Sequence, residues 1–403
     1  MTVLLHHARR LFASPAGGAT ILLLASVLGL AMANSPWRTD YAVLITWPMK
    51  FSPLGDHGPR NSAEWVSDGL MTLFFVTVIL ETRKEVISGH LSSPRQIALP
   101  LIGAVGGMMV PALTYLLLTH GHADISRGWA IPVATDAAFT LPIILALGQR
   151  VSAGARAWLM TLAIFDDVLG IIVIALFYGT ALYPDALVAA FIIAAALACM
   201  NRGGIGTVWP YAAGCVFLWI ILLNSGLHPT LAGVVTGLCL PATSAGRDIK
   251  RSTPLETTLS VLGPVVTWGI LPLFGFMNAG ISLAGLNAGM LLEPLPLGIM
   301  LGLLIGKPVG VFGTTMLVAR LKIATLPSRT SMKTLFGFSL LCGIGFTISI
   351  FIAGLAFPAS NTVALAKMGI FVGSVIAAIA GWLWLRFLPV SVHPVLCPPG
   401  GKL

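Results

Sequence analysis

Four charged residues lie within long apolar runs of this chain: Asp136, the doublet Asp166-Asp167, and Lys307. On membrane-insertion scales a charge at the centre of a spanning helix costs about 2.5–3.5 kcal/mol, so each one present needs a partner or a task. Adjacent helix residues point about 100° apart, so Asp166 and Asp167 cannot serve one small site equally. Two acids this close also oppose joint ionisation. Such a pair can hold a proton under one condition and a hard, weakly bound cation such as Na+ or Li+ under another. A structural Lys–Asp pair that merely holds helices together is the competing reading. Lys307 lies in Leu304-Ile305-Gly306-Lys307-Pro308-Val309-Gly310. Its stem is too central to reach either interface, and it is expected to pair with Asp166 or Asp167.

The segments around these charges carry helix breakers. In Gly128-Trp129-Ala130-Ile131-Pro132-Val133-Ala134-Thr135-Asp136-Ala137-Ala138-Phe139, Pro132 and the later Pro142 weaken helical hydrogen bonding near Thr135 and Asp136. A matching weakness occurs at Cys342-Gly343-Ile344-Gly345-Phe346-Thr347. Broken backbone at membrane depth is tolerated only where it is buried in protein or lines a cavity. Interrupted helices in corresponding halves are the best sequence pointer to a transporter's binding site. Two such helices crossing would bring half-helix ends together, each with a partial charge of about half a unit. Asp136 then suits facing N-terminal ends and Lys307 facing C-terminal ends. Whether Asp136 also touches an ion stays open at this stage.

The elements that must carry these residues are membrane helices. Of 403 residues, 57% are hydrophobic and 9% are charged, against about 25% charged in an average soluble domain. That shortage excludes a soluble enzyme, a nucleic-acid binder and a disordered chain, despite the net charge of +9. Apolar runs fall at 17–34, 66–82, 98–119, 129–148, 155–178, 184–200, 208–223, 228–242, 259–282, 295–319, 334–357 and 363–387. They predict about twelve spanning helices in a single transporter domain over 1–403. The fourth, seventh and eighth runs are the weakest. The first helix occupies 17–34, a periplasmic loop 35–64, helices 2–12 the stretch 66–387, and a cytoplasmic tail 388–403. The flanks of the first run, including Ala31-Met32-Ala33, resemble a secretory signal, but an uncleaved first helix has the same flanks and is the expected reading. Seventeen Lys and Arg residues fall on the N-terminal side and five on the other, which predicts both termini in the cytoplasm. The cysteines form no C-x-x-C pair and read as apolar core thiols.

The motifs Ala134-Thr135-Asp136-Ala137-Ala138-Phe139, Asp166-Asp167, Leu304-Ile305-Gly306-Lys307-Pro308 and Leu341-Cys342-Gly343-Ile344-Gly345-Phe346-Thr347 resemble those of NhaA-type sodium/proton antiporters. So does Asn224-Ser225-Gly226-Leu227-His228-Pro229-Thr230-Leu231-Ala232-Gly233, and the resemblance runs from about residue 17 to 387. It implies an all-α polytopic protein of the bacterial inner membrane with about twelve helices. Helices 3–5 and 10–12 would form inverted-topology repeats, and helices 4 and 11 would be discontinuous. It also implies electrogenic export of Na+ or Li+, with more protons entering than sodium ions leaving per cycle. Asp167 would be the main cation and proton ligand, and Asp166 the second acid, bonded to Lys307 in the inactive state. Thr135 and Asp136 would sit at the helix crossing, beside the Gly343, Gly345 and Thr347 motif. The family's pH-sensing cluster maps onto Glu81, Arg83, Lys84, Glu85 and Glu256, with His228 as a further candidate. Here the basic pair is reversed relative to the best-known member, and the segment around Glu256 lacks that member's nearby histidines. A homodimer in membrane lipid is implied. No cofactor is expected beyond the transported ions, and no nucleic-acid partner.

Rival classes fit less well. An intramembrane aspartyl protease wants a Gly-x-Gly-Asp context, and a polyprenyl transferase wants Asp-x-x-Asp spacing for Mg2+-bound diphosphate; neither occurs around these aspartates. A proton-coupled carrier of an organic anion on a related scaffold would need a free cation to meet its substrate. Lys307 is the one candidate, facing three acids. A passive channel suits a titrating doublet poorly.

Overall fold

The computed structural model describes residues 15–49, 58–88, 94–179, 182–242, 253–282, 287–322, 324, 326 and 330–388. Among the basic residues used for orientation, Arg9, Arg10, Lys50, Arg247, Lys250, Arg251, Arg329 and Lys402 lie outside them. So do Cys397 and, after its first residue, the expected tail.

The described residues are helical almost throughout. The chain opens with α1 (Pro15–Ala33) and a sharply turned α2 (Arg38–Ile45). A π-helical stretch, Trp65–Leu70, leads into α3 (Met71–Ser88), followed by α4 (Pro94–Leu118). The fourth span is a 3-10 stretch, Ser126–Val133, then α5 (Ala137–Ala146). There follow α6 (Ala153–Phe177), α7 (Pro184–Arg202), α8 (Trp209–Leu223) and α9 (Leu231–Cys239). The ninth predicted run joins α10 (Pro254–Val265) to α11 (Leu271–Ala279), and the tenth joins α12 (Pro294–Leu301) to α13 (Lys307–Arg320), each through a π-helical stretch. The eleventh is broken into α14 (Met332–Leu341) and α15 (Phe346–Ala356), bent by 45°. The long α16 (Ser360–Phe387) closes the chain.

Eight of these helices are long and apolar enough to cross a membrane, or up to ten if each bent pair counts as one span. Two predicted runs fall short. The run at 208–223 gives α8, of 15 residues, and the run at 228–242 gives α9, of 9 residues. At 1.5 Å per residue these reach about 22 and 14 Å, less than a hydrocarbon core of about 30 Å. Proline punctuation is the reason for the shorter one. Pro229 and a turn at Gly226, with φ +85°, delay its start, and Pro241 holds Leu240 extended at ψ 133°. Where four prolines argue against regular strands in the 35–64 loop, α2 occupies the proline-free stretch before Pro48. Among the described residues of that loop, one antiparallel bridge joins Pro48 to Asn61. Cys215 and Cys342 are buried as expected, but Cys199 faces outward from α7.

Glycine sets how closely α4 and α13 approach. A Cβ on Gly310 would strike the backbone of Gly106, and one on Gly107 would meet Val311 Cγ2 at 2.5 Å and the stem carbons of Lys307 at 3.7 Å. Small residues at such a crossing let two membrane helices pack backbone to backbone. Gly310→Val is therefore expected to destabilise by at least about 1–3 kcal/mol through overpacking, read as a lower thermal midpoint of the solubilised protein. Gly263→Ala, where an added Cβ meets nothing within 4 Å, should leave that midpoint close to wild type.

Candidate ion site at the helix crossing

The two helix breaks meet. After Val133 the backbone turns extended at Ala134, ψ 145°, and Asp136, ψ 96°, before α5 begins. Asp136 N–H donates to Ile344 O at 2.6 Å, tying one break to the other. The Asp136 carboxylate then caps two helices at once. Its Oδ1 accepts from Ala138 N at 3.1 Å, at the start of α5. Its Oδ2 accepts from Thr347 N at 2.8 Å and Thr347 Oγ1 at 2.6 Å, at the start of α15. Negative charge at a helix N-terminus is stabilising, more so when partly buried, and Asp136 is 1% exposed. The charge compensation read from the sequence is the role this geometry supports.

The C-terminal ends are satisfied by two different groups. Lys307 Nζ donates to Val133 O, the last residue of the 3-10 stretch. Thr135 Oγ1 donates to Cys342 O at 2.8 Å, just beyond α14. The sequence assigned both ends to Lys307, but the lysine reaches only one. Gly345 is held at φ −101°, so glycine is not needed there for its backbone angle. It is needed for space: a Cβ would collide with Ser349 Oγ and lie 3.2 Å from Ala134 O. Gly343 likewise sits 2.5 Å, measured from such a Cβ, from Leu303 O.

The doublet divides as its 100° separation demands. Asp166 is 1% exposed and ion-paired with Lys307, whose Nζ donates to Oδ2 at 2.7 Å and Oδ1 at 2.8 Å. Asp167 turns away from this pair. It lines a cavity of about 340 Å³ together with Asp136 and Glu81, and its buried Oδ1 has no hydrogen-bond partner. Buried polar atoms without partners are rare, and each needs an explanation. The cavity is bounded by Gly18 and Leu22 of α1, Phe74 and Thr77 of α3, and Thr267 in the π-helical stretch before α11. Around Phe351 of α15 the packing is aromatic: Phe75 at 5.9 Å, Phe274 at 6.4 Å and His228 at 5.3 Å between ring centroids.

The pH-sensing candidates are only partly brought together. Glu81, Arg83, Lys84 and Glu85 share the end of α3, and α10, which carries Glu256, packs against that helix. Arg83 donates to Gly237 O at 2.8 Å and also to Leu240 O, so it closes the C-terminal end of α9. Glu256 forms a capping box with Thr253 at the start of α10. His228 stands elsewhere, in the turn before α9. It pairs with Thr230 Oγ1 at 2.7 Å and approaches Asp68 Oδ1 to 3.6 Å. Asp68 precedes Glu81 by thirteen residues along one span, or roughly 20 Å at 1.5 Å per residue.

Several contributors are missed by sequence reasoning. Ser349 Oγ donates to Ile131 O at 2.6 Å, and Ser374 Oγ accepts from Gly345 N at 3.2 Å. A serine in an apolar run carries no signal until its partner across the fold is known. The π-helical stretch Gly302–Gly306 directly before Lys307 is also unforeseen, although Gly302, Gly306 and Pro308 mark it in retrospect. Such single-turn bulges re-aim side chains and occur frequently at functional sites.

Comparison with known proteins places this geometry in context. Residues 9–385 match the Na+/H+ antiporter 1 family. A Na(+)/H(+) antiporter NhaA of Gluconacetobacter diazotrophicus is 67% identical over 381 residues, covering 94% of this chain and 96% of the relative. One of Gluconobacter oxydans is 64% identical over 386 residues, covering 96% and 95%. Among solved structures, the sodium proton antiporter MjNhaP1 of Methanocaldococcus jannaschii aligns with a TM-score of 0.55 at 14% identity, covering 95% of this chain and 97% of that one. At that identity the likeness is one of fold.

The pairing at Lys307 makes a stability test direct. Lys307→Ala leaves Asp166 buried without its counter-charge, and breaking one partner of a buried pair costs about 3–5 kcal/mol. The thermal midpoint should fall sharply and recover in large part in the Lys307→Ala/Asp166→Asn double variant. Equal midpoints for the single and double variants would contradict the pairing.

Proposed function

The chain belongs to the Na+/H+ antiporter 1 family, and from that premise we propose that it exchanges Na+ or Li+ for protons through competition at Asp167, assisted by Asp166. The observation that carries this reading is the division of the doublet. One carboxylate is neutralised by Lys307, while the other faces a cavity with an oxygen that nothing in the protein satisfies. A carboxylate so placed takes either a proton or a cation, and a bound proton excludes the cation. Glu81 and Asp167 give the cavity an acidic lining that favours cation entry. When Asp166 is released from Lys307 it supplies further oxygens to the cation, and the lysine is then free to gain or lose a proton.

The breaks at 134–136 and 342–345 supply the movable part. Their ends are held by side chains rather than by continuous helix, so small shifts of α5 and α15 can re-expose the site without exposing backbone to lipid. In this reading spans 3–5 and 10–12 act as the inverted repeats, moving against the remaining helices. The cavity at Glu81 faces the cytoplasm, both termini lie there, and the protein works in the bacterial inner membrane as a homodimer. More protons enter than sodium ions leave, so the cycle is electrogenic and driven by membrane potential. An organic-anion carrier is disfavoured, because the lysine ammonium that would meet the anion is occupied by Asp166 and Val133.

Everted vesicles loaded with a pH-sensitive dye test this directly. NaCl or LiCl, but not KCl, should dissipate a preformed proton gradient, and absence of any Na+-dependent proton movement would sink the proposal. Asp167→Asn should abolish the response. Competition also fixes a sign: as pH rises and the carboxylates deprotonate, the apparent KM for Na+ should fall. Glutamine at position 256 keeps the capping-box geometry while removing the charge. Glu256→Gln should therefore displace the pH profile at a nearly unchanged maximal rate, whereas a purely structural glutamate would leave the profile in place.

A further inference from the structure

A second cavity, of about 520 Å³, is walled by α1, α5, α16 and the break in span 11. Its lining is apolar apart from the hydroxyls of Thr20 and Ser374 and the indole nitrogen of Trp382. On α16 the wall is a stripe, Phe371, Ser374, Ala378 and Trp382, at the spacing of one helix face. The outer edge is open: Leu23, Ile379 and Trp382 are 49%, 53% and 41% exposed. At membrane depth such an edge is continuous with the lipid-facing surface, so hydrocarbon and not water is the available filler; apolar cavities stay dry.

One end of this groove is marked by charge. Arg386 lies one turn beyond Trp382 on the same face of α16. Arg150 follows Ala146, the last groove residue of α5, by four positions, and its Nη1 donates to Arg386 O at 2.7 Å. Both arginines are exposed. From Phe371 to Arg386 the stripe runs roughly 22 Å at 1.5 Å per residue, comparable to an extended fatty acyl chain. We propose that this groove holds an acyl chain of an anionic phospholipid, with its phosphate at Arg150 and Arg386. The charge selects the lipid class, since a zwitterionic headgroup gains little from two adjacent cations. The groove also has a route to the transport site. Ala19 and Pro142 line both this groove and the cavity that holds Asp167. A chain lodged there supports the wall between them and restrains α1 and α5.

The test uses delipidated full-length protein in detergent, titrated with dioleoyl-phosphatidylglycerol or dioleoyl-phosphatidylcholine. Retained lipid is counted by native mass spectrometry and the thermal midpoint is followed in parallel. Phosphatidylglycerol should be retained in preference and should raise the midpoint more. Arg150→Ala/Arg386→Ala should weaken its retention by about fivefold for each arginine removed, leaving phosphatidylcholine unaffected. Ala378→Phe, which fills the groove and keeps both arginines, should reduce retention of phosphatidylglycerol; Ala146→Leu provides the same test should the first variant not fold. Wild-type preference for phosphatidylglycerol in the double arginine variant, or full retention in a folded groove-filled variant, would overturn the proposal. Neither readout requires ion exchange, so failure here is distinct from failure of the antiport reading.

Discussion

A helix that stops in the middle of a membrane leaves backbone donors or acceptors with no water to satisfy them, and this protein stops two helices at one place. Everything near the crossing follows from that constraint. The N-terminal ends of α5 and α15 share the Asp136 carboxylate, while the C-terminal ends receive Lys307 and Thr135 separately. Backbone groups unsatisfied in hydrocarbon cost several kcal/mol each. Losing any one of these side chains therefore costs more than an ordinary hydrogen bond. The result is a pair of breaks whose ends are held by side chains, which a continuous helix does not have.

The same constraint explains why Lys307 and Asp166 belong to both the scaffold and the site. Lys307 holds Val133 and Asp166 together, so its ammonium is shared between a helix end and a buried acid. Anything that draws Asp166 away changes the electrostatics of the break. Asp167, one residue on, has no such tie on its Oδ1 and faces the acidic cavity. The adjacency of the two acids thus places one fixed and one open carboxylate next to each other, which suits exchange of a proton for a cation better than a lasting metal site.

Packing transmits this arrangement outward. Gly106, Gly107 and Gly310 let α4 and α13 pack closely beside the lysine stem, and a π-helical stretch directly precedes Lys307. Arg83, which the family resemblance would place in a pH-sensing cluster, closes the end of α9. Glu256 caps its own helix. Both side chains hold a helix end in place, so removing either outright would perturb the fold along with any part it has in the proposed pH response.

Much of this was legible in the amino-acid order. The scarcity of charge defines a membrane protein, the proline and glycine pattern marks both breaks, and Asp136, Asp166, Asp167 and Lys307 stand out because lipid tolerates so few charges. Those inferences need only local chemistry and the cost of burial. Residue types and spacing left open which aspartate faces the lysine, because 100° of helix rotation has meaning only against a neighbouring helix; only the family resemblance pointed to Asp166, the partner the fold supplies. The same holds for Thr135 serving Cys342 and Ser349 serving Ile131, whereas the shortness of α8 and α9 was foreshadowed by the weakness of the seventh and eighth apolar runs. The sequence determined that charges must be paired at mid-membrane; the tertiary structure decided the pairs, since partners more than a hundred residues apart are selected by packing and not by spacing.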